Sequence, residues 1–213
     1  MAIRFDRGSR LLFIGDSITD CNRRKDPDEL GSGYVRLIAD HLSAFDPWRA
    51  PAVLNRGISG NKVPDLEQRW QRDVIDLRPD VLSVFIGVND VWHGFKPDRQ
   101  GCTLPDYVAG YRRILGLARE ALPHLQLVLC EPSSLRLAEP ADAHAQLQPY
   151  VEAIGALAVE FEADAVVPLY AAFNGAYEQR PDIAWTTDGV HPTSTGHMLI
   201  ARSWLRATGG GGV

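Results

Sequence analysis

Short apolar runs alternate along this chain with longer stretches of helical period. Residues 11–14 are all apolar and stop at Gly15, which predicts a strand buried on both faces. Tyr34, Leu37, Ile38, His41 and Leu42 then recur at three- and four-residue intervals, the signature of one apolar helical face. Residues 52–54 predict a second strand, closed by Gly57 and Gly60. Over 64–77, Leu66, Trp70, Val74 and Leu77 share a helical face, with Pro64 tolerated in the first turn. Residues 81–86, nearly all β-branched or aromatic, predict a third strand, 105–122 a helix and 125–129 a fourth strand. A helix over 145–161, a short fifth strand at 165–167 and helices over 169–177 and 192–207 complete the pattern. Residues 93–103 and 132–143 are the longest irregular stretches, and no period of repeat-protein length recurs.

Strands that alternate with helical crossovers make a parallel sheet covered on both faces. Right-handed crossovers then favour a three-layer α/β/α sandwich, flavodoxin-like, with a five-stranded parallel sheet in the order 2-1-3-4-5. The expected organisation is one domain over residues 1–208, followed by a flexible glycine-rich tail at 209–213. Sheets of this class bind ligands beyond the carboxyl ends of their strands, so chemistry is sought there.

Composition narrows the partners. The 213 residues are 45% hydrophobic and 23% charged, an ordinary globular balance, and the net charge is −5. Without a basic stripe, phosphate neutralisation has no basis, and nucleic acid is not an expected partner. The longest apolar run, 81–88, is far short of a membrane span, and the apolar run near the N-terminus is too short for a signal peptide. Cys21, Cys102 and Cys130 form no CxxC spacing, so neither a disulfide framework nor a zinc site is expected, and the reading is a reducing, cytoplasmic compartment. The first strand–helix turn lacks a phosphate-cradling glycine motif, and no cofactor is expected. A small neutral molecule is the expected partner, and five tryptophans leave room for a homo-oligomer.

Four peptides stand at the predicted strand or helix ends: Gly15-Asp16-Ser17, Asn55 to Asn61, Gly87 to Asp90, and Asp188-Gly189-Val190-His191. Acyl transfer needs a hydroxyl nucleophile, a base to take its proton, and a carboxylate to orient that base. Ser17, His191 and Asp188 supply these three parts, and one turn can present both Asp188 and His191. Donors for an oxyanion are available in the Ser17 and Gly60 amides and the Asn89 carboxamide. Each fragment alone has an ordinary structural reading as a turn, a cap or a core residue. Their joint occurrence in chain order at the predicted rim favours catalysis. Asp16 reads as a brace for the Ser17 loop or as site support; Asp20 and Arg23 stand close enough to touch a substrate. Two other classes remain open: a metal-dependent hydrolase built on Asp16, Asp90, Asp188 and His191, and a flavodoxin-like binding module without catalysis.

The same four peptides resemble the blocks of the SGNH, or GDSL-type, hydrolase family, and the likeness runs from Leu11 to His191 with no block departing from the pattern. The resemblance implies a serine hydrolase with Ser17 as nucleophile, His191 and Asp188 completing a triad, and Gly60 and Asn89 in the oxyanion hole. At finer grain, residues 15–23, 57–61, 86–92 and 196–202 resemble intracellular acetyl-xylooligosaccharide esterases. That likeness implies a serine esterase acting on short-chain, acetyl esters of xylooligosaccharides or related sugars, and makes Trp92 a candidate wall of the acyl pocket or stacking platform for a sugar. A thioesterase or lysophospholipase acting on lipid acyl chains shares the same machinery and is the alternative.

Overall fold

A computed structural model describes residues 3–210. Its strands are β1 (Arg10–Gly15), β2 (Ala52–Gly57), β3 (Val81–Phe85), β4 (Gln126–Cys130) and β5 (Ala165–Val167). They pair in parallel in the order β2-β1-β3-β4-β5, as the alternating pattern predicts. The register sets Gly15 beside both Gly57 and Phe85, so three strands reach the same rim together.

Nine α-helical segments surround the sheet among the described residues: α1 (Ser17–Asp20), α2 (Tyr34–Phe45), α3 (Val63–Trp70), α4 (Val88–Trp92), α5 (Leu104–Ala121), α6 (Ala143–Gln146), α7 (Gln148–Glu160), α8 (Leu169–Gln179) and α9 (Ser194–Thr208). The pleat divides the core. Leu11 and Phe13 of β1 face Tyr34, Ile38, Trp204 and Phe173 on one side. Leu12 and Ile14 face Leu66, Trp70, Ile114 and Leu157 on the other. Alternate side chains of one strand thus feed two apolar layers, which is why its whole run is hydrophobic.

Three predicted helices differ in detail. The helix expected over 64–77 begins at Val63 and widens after Trp70 into a π turn, Gln71–Ile75, with Asp76 N donating to Gln71 O at 2.9 Å. The helix expected over 145–161 is two pieces, α6 and α7, because Pro149 has no amide hydrogen to continue the first turn. The last helix begins at Ser194 rather than 192, because the Thr193 hydroxyl caps it by accepting from Gly196 N at 3.2 Å. Two elements escape the periodicity altogether: α1 and α4 are four and five residues long, too short to show a repeat. Of the tail at 209–213, Gly209 closes α9 in the left-handed conformation, and 211–213 lie outside the described residues.

Candidate active site

The rim is built where β1, β2 and β3 end. Asp16 caps α1, its Oδ1 accepting from Ile18 N at 2.9 Å, and so sets Ser17 at the first helical position. At the other end of the chain, Asp188 organises its own turn: Oδ1 accepts from the amides of His191 (2.8 Å) and Val190 (3.1 Å). Gly189 adopts φ +85°, and a Cβ there would collide with the Arg136 carbonyl. The irregular 132–143 segment holds this turn in place, with Arg136 N and Ser134 Oγ donating to the Gly189 carbonyl at 2.9 and 3.2 Å.

These two turns meet. Ser17 Oγ lies 2.9 Å from His191 Nε2, and Asp188 Oδ2 lies 2.7 Å from His191 Nδ1. The carboxylate accepts the proton on Nδ1, which leaves the Nε2 lone pair facing the serine hydroxyl. Burial acts to raise the Asp188 pKa, but the His191 amide, the His191 ring and the Val190 amide outweigh it, so the net shift is downward and the carboxylate stays charged.

The other two peptides carry Gly60 and Asn89. Gly60 has φ +83°, and neither its amide nor that of Ser17 has an acceptor among the described residues. Asn89, in the first turn of α4, donates through Nδ2 to the Asn61 carbonyl at 3.1 Å. Asp90 Oδ1 accepts from Val63 N at 3.1 Å, so adjacent residues of α4 both latch onto the segment that carries Gly60. Trp92 meets His191 edge-on, with ring centroids 5.7 Å apart.

Asp16 is buried and bonded to its own turn, as a brace would be. Asp20 accepts from Ser59 Oγ (2.9 Å) and N, and Arg23 Nε donates to the Gly57 carbonyl at 2.8 Å, so both side chains fasten loops to one another. Burial lifts the carboxyls of Asp16 and Asp90 to about 7. Among the described residues no three His, Cys, Asp or Glu side chains gather as a metal-holding group, so the cluster of Asp16, Asp90, Asp188 and His191 considered above is not assembled. Burial raises the thiols of Cys102 and Cys130 to about 12, far from nucleophilic use.

One supporting residue carried no sequence signal. Arg69, buried in α3, donates to Gly15 O (3.2 Å), Arg56 O (2.8 Å), Asn61 Oδ1 (2.9 Å) and Asp73 Oδ2 (2.9 Å). It ties the ends of β1 and β2 to the Gly60 segment. Only its spacing of four from Asp73 hints at a pair, and that spacing is common on any helix.

The sequence profile of the GDSL-like Lipase/Acylhydrolase family matches residues 13–199. The chain belongs to that family and is a carboxylic ester hydrolase. It is 36% identical over 216 residues to an acetylxylan esterase from Geobacillus stearothermophilus, covering 97% of each chain. The solved structure of that organism's acetylxylan esterase Axe2 aligns with TM-score 0.86 at 34% identity over 97% of both chains. A GDSL-like protein from Parabacteroides merdae aligns with TM-score 0.90 at 38% identity, over 98% of this chain and 99% of that one. Catalytic mutants of Axe2 have been solved with a serine, an aspartate or a histidine replaced.

Proposed function

We propose that this protein is a serine esterase that removes acetyl groups from xylooligosaccharides or related sugars through an acyl-enzyme. The single observation that carries the reading is Ser17 Oγ at 2.9 Å from His191 Nε2, with Asp188 on the far nitrogen of the same ring. His191 takes the Ser17 proton as Oγ attacks the ester carbonyl, and Asp188 steadies the imidazolium that forms. Charge develops on the carbonyl oxygen, where the Ser17 and Gly60 amides and the free N–H of Asn89 receive it. Collapse of the tetrahedral species expels the sugar hydroxyl, protonated by His191. Water then enters, gives its proton to His191, and releases acetate and Ser17.

Support for the acetyl-sugar substrate comes from relatives named acetylxylan esterase and acetyl-xylooligosaccharide esterase. Trp92 beside His191 offers an apolar wall for a small acyl group or a face for a sugar ring. Three free cysteines suit a reducing compartment, and we place the enzyme in the cytoplasm.

The test is an acyl-length series from acetate to octanoate, run beside acetylated xylooligosaccharides with wild type and Ser17→Ala. Acetate is expected to be preferred, and Ser17→Ala to lower kcat by about 10⁶, the scale of a lost triad serine. Substantial turnover by Ser17→Ala overturns the catalytic assignment. A preference for long chains moves the substrate to lipid esters and leaves Ser17 as nucleophile.

A further inference from the structure

The segment between α4 and α5 carries cations that the acyl-transfer chemistry does not use. Arg99 Nη1 lies 3.1 Å from His93 Nε2. His93 is 5% exposed. Burial, reinforced by the charges of Arg99, Lys96 and Lys62, pushes its pKa down to about 4, so the ring is neutral in ordinary buffers. A guanidinium only donates, so His93 Nε2 is the acceptor and the ring proton sits on Nδ1. A buried imidazole therefore holds one arm of Arg99, while its Nε and Nη2 have no acceptor among the described residues.

That guanidinium points toward the oxyanion side. A Cβ built on Gly60 would have Arg99 Nη1 as its nearest neighbour, at 3.9 Å. Lys96 Nζ stands 3.5 Å from the centre of the Trp92 ring, the ring that meets His191. Lys62 Nζ donates to the Gln100 carbonyl at 2.7 Å and ties the same segment to the residues after Gly60. Among the described residues none of these three cations pairs with a carboxylate. The nearby Asp65 spends Oδ2 on the Lys62 amide, 2.8 Å away. In a chain of net charge −5, three cations without an ion-pair partner gather on this flank, with the carboxylates of Asp98 in the same segment and Asp65 beside Lys62 offsetting part of their charge.

We propose that Arg99, held by His93 and flanked by Lys96 and Lys62, forms an anion-binding subsite beside Gly60, and that the preferred ester carries a carboxylate there. The chemical class is an acetylated oligosaccharide that also bears a uronic acid residue, whose planar carboxylate fits the open fork of the guanidinium. The proposal rests on the esterase reading of Ser17 and His191 and names the substrate class of that same site.

The experiment compares kcat/KM for acetylated xylooligosaccharides with and without a uronic acid branch, at about 20 mM and about 500 mM salt. The acidic substrate is expected to be favoured about five-fold at low salt, with the preference shrinking at high salt and disappearing in Arg99→Gln. A ratio near one in the wild type, or an unchanged ratio in Arg99→Gln, overturns it. Calorimetric binding of the deacetylated acidic and neutral oligosaccharides to Ser17→Ala, with and without Arg99→Gln, reads the subsite without turnover. Tighter binding of the acidic ligand, lost with Arg99, supports the subsite even if Ser17 proves not to be the nucleophile; equal binding rejects it.

Discussion

Asn89 reaches the Asn61 carbonyl with one carboxamide hydrogen and has a second to offer. The contact fixes the direction of the free N–H, and in the mechanism we propose that N–H is an oxyanion donor set before any substrate arrives. Asn89→Ala removes that donor and also loosens the Gly60 segment. Its kcat is expected to fall by about 10²–10³, with KM little changed, in steady-state assays on p-nitrophenyl acetate. At this scale the candidate residues were legible by type. Ser17, Gly60, Asn89, Asp188 and His191 all sit in short peptides whose residue types are chemically distinctive. Arg69 and Arg136 were not legible, because each works through carbonyls supplied by remote segments, and His93 was not, because it meets Arg99 only where an irregular stretch folds back on itself. The Arg136 contact uses only its backbone, which no residue type encodes.

Elements explain how the peptides are aimed. A strand ending in Gly15 feeds a four-residue helix whose cap is Asp16, and a strand ending at Phe85 feeds the five-residue α4. Those strands are held in turn by α9: Trp204 Nε1 donates to Ser83 Oγ at 3.0 Å in the middle of β3, where both residues are fully buried. Ser83→Ala leaves the indole N–H without that acceptor and is expected to cost about 1–3 kcal/mol, read as a lower urea midpoint with an unchanged m-value. Strand positions were readable because buried runs of apolar residues end sharply at glycine. The break at Pro149 and the π turn after Trp70 were harder. Across the π turn Leu66, Trp70 and Val74 stay in one apolar layer, so the periodicity hides it, whereas at Pro149 the buried face changes layers, Ala143 and Leu147 packing on one side of the sheet and Ile154 and Leu157 on the other.

Across the whole molecule, four buried ionisable groups set opposing pH dependences. Asp16 and Asp90 are raised by burial to about 7, so the folded state holds protons that the unfolded state releases near 3.8. Their contribution is fully present below that lower value and is lost as pH rises through about 7. His93 and His197 are lowered, chiefly by burial, to about 4 from 6.5, so their contribution is present above 6.5 and is lost as pH falls through about 4. The two trends offset each other between about 4 and 6.5; above that window only the carboxyl trend remains. Thermal unfolding is therefore expected to show Tm falling as pH rises from about 6.5 through about 7, and Asp90→Asn to fall less steeply. A wild-type Tm that climbs through this interval contradicts the assignment.

The sequence by itself determined the layers, the strand order and the chemical inventory of the rim. Those follow from apolar period, from the handedness of crossovers and from residue types whose side chains have few alternative uses together. Tertiary structure alone decided that Ser17 and His191, 174 residues apart, stand at hydrogen-bond distance, and that Arg99 leans on a buried His93 beside Gly60. Such juxtapositions depend on where loops land after the core has packed. Local pattern carries no record of that, because the energy that fixes it comes from burial and hydrogen bonds between segments distant in the chain.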